Sequence, residues 1–375
     1  MGETGARFVY LDHNATTGLR PAAIAAMAEI LAFCGNPSSV HRAGREARRR
    51  LDAARDAVAR AIGLPEGGRI VFTSGGTEAN HLALRGVSHG PVLISAIEHD
   101  CVRAAGAGAE TLAVEPGGTV DLGALERLLA TRAPALVSVM AANNETGVIQ
   151  PMAEIVRLAH AADAVVHCDA VQAIGKIPFD MAALGADLVS ISAHKLGGPT
   201  GVGALAVRPG LDIAALQTGG GQERGARAGT ENLPGIIGFG AAIAEAVDAV
   251  ADYGRLAGLR DEMEKRLLTL APGARLFGAE RPRIPNTCCI ALPGLASEVQ
   301  VMALDLAGIG VSAGSACSSG KVRPSHVLEA MGAGDFARSA IRISLGRDTE
   351  AAEIDRLVEA WGALARRADM KRSAA

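Results

Sequence analysis

Short apolar segments alternate with longer amphipathic segments through most of the chain, and this alternation constrains the fold more than any single motif. Five segments are rich in aliphatic and β-branched residues and have the length of buried strands: residues 70–73, 92–96, 135–140, 165–169 and 188–192. Segments with helical spacing of apolar residues lie between them, as at residues 42–62. Strands that alternate with helices are typical of parallel sheets covered on both faces. We therefore predict an α/β fold.

Polar side chains follow several of these predicted strands at the points where the strands end. In parallel sheets, ligands bind beyond the carboxyl ends of the strands. The side chains found there offer a hydroxyl, an aromatic ring, an amide, a carboxylate and an amine. Pyridoxal 5'-phosphate needs such a set for its phosphate, its ring, its hydroxyl, its pyridine nitrogen and its aldehyde. The residues concerned are Thr77, His99, Asn144, Asp169 and Lys195.

Lys195 is the centre of this pattern. It ends a buried strand and precedes a glycine-rich turn, where desolvation favours the neutral, nucleophilic amine. Only five lysines occur in the chain, so arginine serves wherever charge alone is needed. A lysine retained at this position is therefore interpreted as chemically active, although a single lysine elsewhere would be read as a strand cap.

A glycine-rich turn at residues 74–80 joins a predicted strand to a predicted helix. Exposed backbone N–H groups and the Thr77 hydroxyl at a helix start suit an anion. The turn lacks the spacing of a nucleotide-binding loop or a dinucleotide fingerprint, so it predicts a site for one phosphate group.

Composition excludes several other classes of function. The net charge of −3 and the 21% of charged residues include no basic region that would predict nucleic acid or a membrane surface as a partner. The most apolar stretch, residues 233–250, contains Glu245 and Asp248, which favours a buried helix over a membrane span. The N-terminal residues lack an apolar signal core, and the six cysteines lack the paired spacing of a metal site. We expect a cytoplasmic protein with no resident metal.

Nine ordered motifs, taken together, resemble the cysteine desulfurases of the NifS/IscS-like group, within the class V aminotransferase family of pyridoxal-phosphate fold-type I. The resemblance runs from about residue 8 to residue 364. It implies a large domain (15–257) with a mainly parallel seven-stranded sheet between helices, and a smaller α+β domain (1–14 and 258–375). The motifs lie at residues 10–17, 35–39, 73–80, 143–147, 167–172, 192–195, 223–231, 314–317 and 341–347.

The resemblance also implies roles for individual residues toward the cofactor. Lys195 would carry pyridoxal 5'-phosphate covalently, Asp169 would pair with its pyridine nitrogen, and His99 would stack on its ring and act in catalysis. Gln172 and Asn144 would contact its phenolic oxygen, and Asn144 and Arg342 would bind the substrate. The phosphate group would be held by Gly76, Thr77, Ser192, Ala193 and His194, with Thr230 supplied by the second subunit of a homodimer. Ala193 stands where the family more often has glycine.

Cys317 would be the nucleophile that takes sulfur from L-cysteine as a persulfide and leaves L-alanine. The sulfur would pass to an acceptor or iron–sulfur scaffold protein, together with which Cys317 could ligate a cluster transiently. The glycine-bearing segment around Cys317 suits a mobile loop, and Lys321 and Arg323 would favour its thiolate. The other cysteines, Cys34, Cys101, Cys168, Cys288 and Cys289, are assigned structural roles.

Three alternatives remain open on sequence alone. An aminotransferase would need the lysine, the aspartate and the phosphate site but not Cys317. A selenocysteine lyase would differ only in its preferred chalcogen. A non-catalytic phosphate-binding protein would not require Lys195, Asp169 and Cys317 together. The final sulfur acceptor is not identified by any motif: nitrogenase assembly, general iron–sulfur assembly and tRNA thiolation are all compatible with the sequence.

Overall fold

The structure is a computed structural model that describes residues 8–87, 90–314 and 324–373. Cys317 and the segment around it therefore lie outside the described residues. The strands are β1 (Val9–Tyr10), β2 (Arg69–Thr73), β3 (Val92–Ser95), β4 (Glu110–Leu112), β5 (Leu136–Met140), β6 (Val165–Asp169), β7 (Leu188–Ser192), β8 (Gly203–Val207), β9 (Arg275–Leu276), β10 (Thr287–Ala291), β11 (Ile309–Gly310), β12 (Ser312–Ala313) and β13 (Ala340–Ser344).

Helices separate most of these strands. They are α1 (Pro21–Leu31), α2 (Arg42–Ala61), α3 (Gly76–Val87), α4 (Asp100–Ala105), α5 (Leu122–Arg132), α6 (Met152–His160), α7 (Met181–Leu184), α8 (Leu233–Asp248), α9 (Val250–Tyr253), α10 (Leu256–Leu270), α11 (Ser297–Leu306), α12 (His326–Ala330) and α13 (Ala351–Ser373). A short 3-10 turn, Ala193–Lys195, directly follows β7.

A seven-stranded sheet forms the centre of the larger part of the molecule, in the order β2-β8-β7-β6-β5-β3-β4. Strands β4, β3, β5, β6 and β7 are parallel to one another, and only β8 runs against its neighbours β7 and β2. The predicted α/β fold with a mainly parallel seven-stranded sheet is thereby confirmed. The carboxyl ends of β3, β5, β6 and β7 share one edge, so the residues that follow them meet there.

Helices cover the sheet with apolar faces. On α2, the predicted stripe of Ala47, Leu51, Ala54 and Val58 is buried. Most arginines of that helix face outward as predicted, but Arg55 turns inward and pairs with the buried carboxylate of Glu223 at 2.7 Å. Helices α1 and α2 both pack against α8, where Phe239 and Ile243 are fully buried. Burial of these apolar side chains stabilises α2 although the helix is rich in arginine.

A second, smaller sheet is antiparallel, in the order β12-β13-β10-β9. Its apolar core contains Trp361 from α13 and Leu11 from the N-terminal segment, whose strand β1 pairs in parallel with β11. The N-terminal segment thus packs with the C-terminal third of the chain, as the sequence led us to expect. The domain boundary itself, at residues 257 and 258, stays a prediction.

No single helix in the described parts of the chain is long and apolar enough to cross a membrane. The segments Leu233–Asp248 and Val250–Leu270 meet the length and composition criteria only as a pair bent by 65°. Within the same described ranges, no group of three or more His, Cys, Asp or Glu side chains is arranged to hold a metal ion.

Candidate active site

A cavity of about 400 Å³ lies at the carboxyl edge of the large sheet and reaches Arg342 in the small sheet. It brings together ten of the residues that the sequence singled out: Gly76, Thr77, His99, Asn144, Asp169, Gln172, Ser192, His194, Lys195 and Arg342. Residues distant in the sequence meet here because four parallel strands end at this edge.

Lys195 enters the cavity from the turn after β7. Its Nζ donates hydrogen bonds to the backbone oxygens of Asn14, at 2.5 Å, and Ala15, at 2.9 Å. Burial, with a smaller contribution from the Arg342 guanidinium, lowers the pKa of Lys195 from 10.5 to about 8. The amine is therefore largely neutral in mildly alkaline solution, and a neutral amine can attack a carbonyl group.

Asp169 is the last residue of β6 and is buried on the opposite part of the cavity wall. Its Oδ2 accepts a hydrogen bond of 2.7 Å from Asn80 Nδ2, and its Oδ1 accepts one of 3.0 Å from the Val171 backbone. Burial raises the pKa of this carboxyl group, while these two donors oppose that shift. A carboxylate held in this way is a fixed acceptor for a protonated ring nitrogen.

The start of α3 forms a third part of the wall. A side chain at Gly76 would meet Val171 Cγ2 at 3.0 Å and Ser192 Cβ at 3.3 Å, so glycine keeps this corner open. Thr77 and Ser192 both line the cavity there. The unpaired N–H groups of the helix start and two hydroxyl groups suit a phosphate.

His99 precedes α4 and accepts a hydrogen bond of 3.2 Å from the Cys101 backbone through Nδ1. This acceptor role assigns the ring proton to Nε2 in the neutral form. Desolvation lowers the pKa of His99, which favours that neutral form. His99 thus presents a neutral aromatic ring at the cavity.

Arg342 comes from the middle of β13 in the small sheet. Its guanidinium donates to Asp12 Oδ1 at 2.6 Å and to the Asn144 backbone oxygen at 3.1 Å. The third nitrogen, Nε, is buried without a hydrogen-bond partner in the described part of the chain. A buried, under-satisfied guanidinium that borders a cavity favours an anionic ligand such as a carboxylate.

The comparisons with known proteins agree with this geometry. The model of the aminotransferase class-V family matches residues 9–357. The chain belongs to the class-V aminotransferase family. Similar relatives are the cysteine desulfurases of Cereibacter sphaeroides, 46% identical with 94% of each chain covered, and of Rhodobacter capsulatus, 43% identical with 93% of this chain and 94% of the relative covered. The predicted resemblance to NifS-like cysteine desulfurases is confirmed.

Solved structures of class-V relatives have the same fold. A NifS-like protein from Rickettsia africae ESF-5 matches with a TM-score of 0.89 and 37% identity, covering 95% of this chain and 98% of the other. A structure described as SspA in complex with cysteine matches with a TM-score of 0.75 and 29% identity, covering 90% and 98%. These structural matches support the fold class independently of the sequence motifs.

Two residues that the class-V resemblance selected, Ala193 and Thr230, do not line the cavity. Ala193 is fully buried, and its side chain belongs to the apolar core of the large sheet. Thr230 borders a separate cavity of about 210 Å³. Cys317 lies outside the described residues, so its place is not established. The roles predicted for these three residues stay predictions.

Other cavity residues were missed as site residues. Asn14 is fully buried and links three parts of the molecule: Nδ2 donates to Thr287 Oγ1 at 2.8 Å, and Oδ1 accepts from Lys176 Nζ at 2.7 Å. Asn80 positions Asp169. Both lie within motifs that carried the family resemblance, residues 10–17 and 73–80, and that is the signal that could have identified them.

Cys101, to which the sequence assigned a structural role, lies at the cavity wall. Its thiol borders the cavity and lies 3.0 Å from His99 Nδ1 and 3.2 Å from Asn80 Nδ2. Desolvation raises the pKa of the Cys101 thiol from 9.0 to about 11. It is therefore protonated near neutral pH and is a poor nucleophile, although it contacts functional side chains.

Two buried carboxyl groups complete the surroundings. Glu145 accepts a hydrogen bond of 2.6 Å from Ser325 Oγ, and burial raises its pKa. Glu98, behind His99, accepts bonds from Ser95 Oγ at 2.6 Å and from the Met140 backbone at 2.8 Å, both through Oε1. Neither group was predicted, because buried carboxyl groups cannot be distinguished from exposed ones by residue type.

Proposed function

We propose that this chain is a pyridoxal 5'-phosphate-dependent cysteine desulfurase that converts L-cysteine into L-alanine. One observation carries the proposal: a single cavity presents Lys195 and Asp169 from the large sheet and the under-satisfied guanidinium of Arg342 from the small sheet. The first two fit a pyridoxal cofactor, and the third fits the carboxylate of an amino acid. When bound, the cofactor supplies an aldehyde that condenses with amines and a ring that stabilises negative charge at Cα.

Each wall of the cavity fits one part of that cofactor. Lys195 would hold it covalently, Asp169 would accept the proton of its ring nitrogen, and His99 would cover its ring. Gln172 and Asn144 would contact its phenolic oxygen. The open corner at the start of α3 would take its phosphate, together with the residues assigned to that group: Gly76, Thr77, Ser192, Ala193, His194 and, from a second subunit, Thr230.

Two residues would act directly on the substrate. Arg342 would bind and orient its carboxylate, with Asn144 alongside. Lys195 would remove the proton from Cα of the bound substrate and hold it at Nζ. The low pKa of Lys195 suits this role, because an amine with a pKa of about 8 both accepts and releases a proton near neutral pH.

Cys317 would carry the sulfur. Its thiolate attacks the sulfur of the bound cysteine, an S–S bond forms and the Cβ–S bond breaks. The electron pair of that bond remains with the carbon skeleton, where a proton converts it to the methyl group of alanine. L-cysteine and one protein thiol thus give L-alanine and one protein persulfide, with no other reactant.

We further propose that the working form is a cytoplasmic homodimer that passes its sulfur to an acceptor or iron–sulfur scaffold protein. The position of Thr230 supports the dimer, since this residue lies outside the cavity of its own chain but belongs to a motif of the phosphate site. A fully active monomer in sedimentation experiments would exclude it.

The proposed reaction is tested by its products. Purified protein with the cofactor, L-cysteine and a thiol reductant should form alanine and sulfide in equal amounts. Cys317→Ser should keep the cofactor absorbance but form no sulfide, whereas the control Cys34→Ser, at an exposed cysteine, should retain full turnover. A keto acid in place of alanine would indicate an aminotransferase, and sulfide formation by Cys317→Ser would refute the assigned nucleophile.

A further inference from the structure

Lys176 is a buried amine next to the active site to which neither the mechanism nor the family motifs assign a role. It lies four residues after Gln172, and only 3% of its surface is exposed. Its Nζ donates hydrogen bonds to Gln172 Oε1, at 2.5 Å, and to Asn14 Oδ1, at 2.7 Å. Burial, with smaller contributions from the cations Lys195 and Arg342, lowers the pKa of Lys176 well below its usual value. Lys176 thus donates to two amides, and the charged residues that affect its pKa most are both cations.

The two contacts decide which way each amide faces. An amide side chain has an oxygen that accepts and a nitrogen that donates, and the Lys176 amine donates to the oxygen of each amide. Lys176 therefore turns Gln172 Oε1 toward itself and leaves Gln172 Nε2 on the opposite side, where it donates to the Asn14 backbone oxygen at 2.9 Å. Gln172 borders the cavity, and its Nε2 carries a second N–H besides the one that Asn14 accepts.

The same contacts reach Lys195. The Asn14 backbone oxygen that accepts from Gln172 Nε2 also accepts from Lys195 Nζ, at 2.5 Å. Asn14 is fixed at its other end, because its Oδ1 also accepts from Asn286 Nδ2 at 3.1 Å. Lys176 thus contacts both amides, and one of them, Gln172, donates to the same Asn14 backbone oxygen that receives the reactive amine.

We propose that Lys176 is a positioning residue of the active site. It fixes the amide of Gln172 so that an N–H faces the cavity, and it fixes Asn14 so that its backbone oxygen receives Lys195. This inference rests on the proposed function to the extent that the phenolic oxygen of the bound cofactor is the acceptor of that N–H. A purely structural lysine would be expected to tolerate methionine, which fills a similar volume without an amine to desolvate.

The test replaces Lys176 with methionine and follows the visible absorbance of the bound cofactor against pH. An N–H donor stabilises the more negative form of the phenolic oxygen. Its loss should raise the pKa of the absorbance change by about 0.5–1 unit, a three- to tenfold change in proton affinity. Lys265→Met, at an exposed lysine of α10, should leave this pKa unchanged.

A double substitution tests whether Lys176 acts through Gln172. If part of its effect passes through Gln172, Lys176→Met should shift the absorbance pKa less in the Gln172→Ala protein than in the unaltered protein. Additive shifts would contradict the proposed route. Should Lys176→Met fold poorly, Lys176→Gln retains one donor and should give a smaller shift in the same direction.

A measurement without the cofactor separates this inference from the proposed function. In the cofactor-free protein, the pH dependence of reductive methylation at Lys195, followed by peptide mapping, reports the pKa of that amine. Lys176→Met should lower it by about half a unit, because the Asn14 backbone oxygen that Lys176 positions accepts from the Lys195 amine and favours its charged form. An unchanged Lys195 pKa and an unchanged cofactor absorbance, even with a lower melting temperature, would overturn the positioning role. Failure of the unaltered protein to bind the cofactor would instead refute the proposed function.

Discussion

The large-sheet wall of the cavity takes its reactive groups from strand ends, whereas the small-sheet wall takes its arginine from the middle of a strand. Asp169 ends β6 and Lys195 follows β7, both at the edge where parallel strands place ligands. Arg342 is the third residue of β13 and pairs with Cys289 of β10 in an antiparallel ladder. The first wall depends on topology, and the second depends on which face of one strand is turned toward the cavity.

The difference separates two tasks. The strand-end groups match the parts of a pyridoxal cofactor, and the mid-strand arginine matches a substrate carboxylate. Asn14 joins the two walls, since it contacts Lys176 of the large part and Thr287 of the small part. Substitutions in the first wall should therefore affect the cofactor, and substitutions in the second wall should affect the substrate alone.

The largest effect is expected at Lys195. Lys195→Ala should lower turnover by at least about 10³-fold, because it removes both the covalent attachment and the proton-transfer group. Cofactor should still bind, through the phosphate site and Asp169. Borohydride reduction and peptide mapping of the unaltered protein should locate the cofactor on Lys195. Its recovery on Lys176 or Lys321 would show that the large-sheet wall has been misassigned.

Arg342 tests the other wall. Arg342→Leu should lower kcat/KM for L-cysteine by about 10²-fold, as expected for loss of charge-assisted hydrogen bonds to a carboxylate. The lower kcat/KM should result mainly from a higher KM, and the cofactor absorbance should stay unchanged. Arg266→Leu, which removes an exposed ion pair with Asp355, serves as the matched control. Loss of cofactor from Arg342→Leu would contradict the proposal that the large-sheet wall binds the cofactor and the small-sheet wall binds only the substrate.

Asn80 tests how firmly Asp169 must be held. Asn80→Ala removes the amide that donates to Asp169 Oδ2 at 2.7 Å, and a buried carboxylate that loses a donor becomes easier to protonate. We expect about a tenfold weaker affinity for the cofactor, measured by absorbance titration. Affinity for L-cysteine at saturating cofactor should change less than this, and the reverse order would contradict the assignment of Asp169 to the cofactor.

The same division explains what the sequence could predict. Asp169, His99 and Lys195 were found from the residues alone, because each ends an apolar run with a polar side chain. Arg342 was found only through the family resemblance, since its strand reads like any buried strand. Asn14 and Asn80 were missed because an asparagine in a turn or on a helix has an ordinary explanation. Their function depends on partners more than 80 residues away, as between Asn80 and Asp169, which are 89 residues apart.

The smallest effect is expected at Glu98, which lies behind the large-sheet wall. Burial, with a smaller contribution from Asp169, raises the pKa of Glu98 from 4.5 to about 8. The folded state therefore binds this proton more tightly than the unfolded state does. That contribution to stability is complete below about pH 4.5 and is lost as the pH rises toward 8.

Glu98→Gln should remove this pH dependence. The amide oxygen can still accept from Ser95 Oγ and the Met140 backbone, which both contact Oε1 in the unaltered protein. Melting temperatures of the two cofactor-free proteins should be similar near pH 5, and the variant should be a few degrees more stable near pH 8.5. A difference that stays constant across this range would mean that Glu98 is already ionised in the folded protein. The wall behind His99 would then carry a negative charge beside Asp169, which would strengthen the attraction of the large-sheet wall for a protonated ring nitrogen.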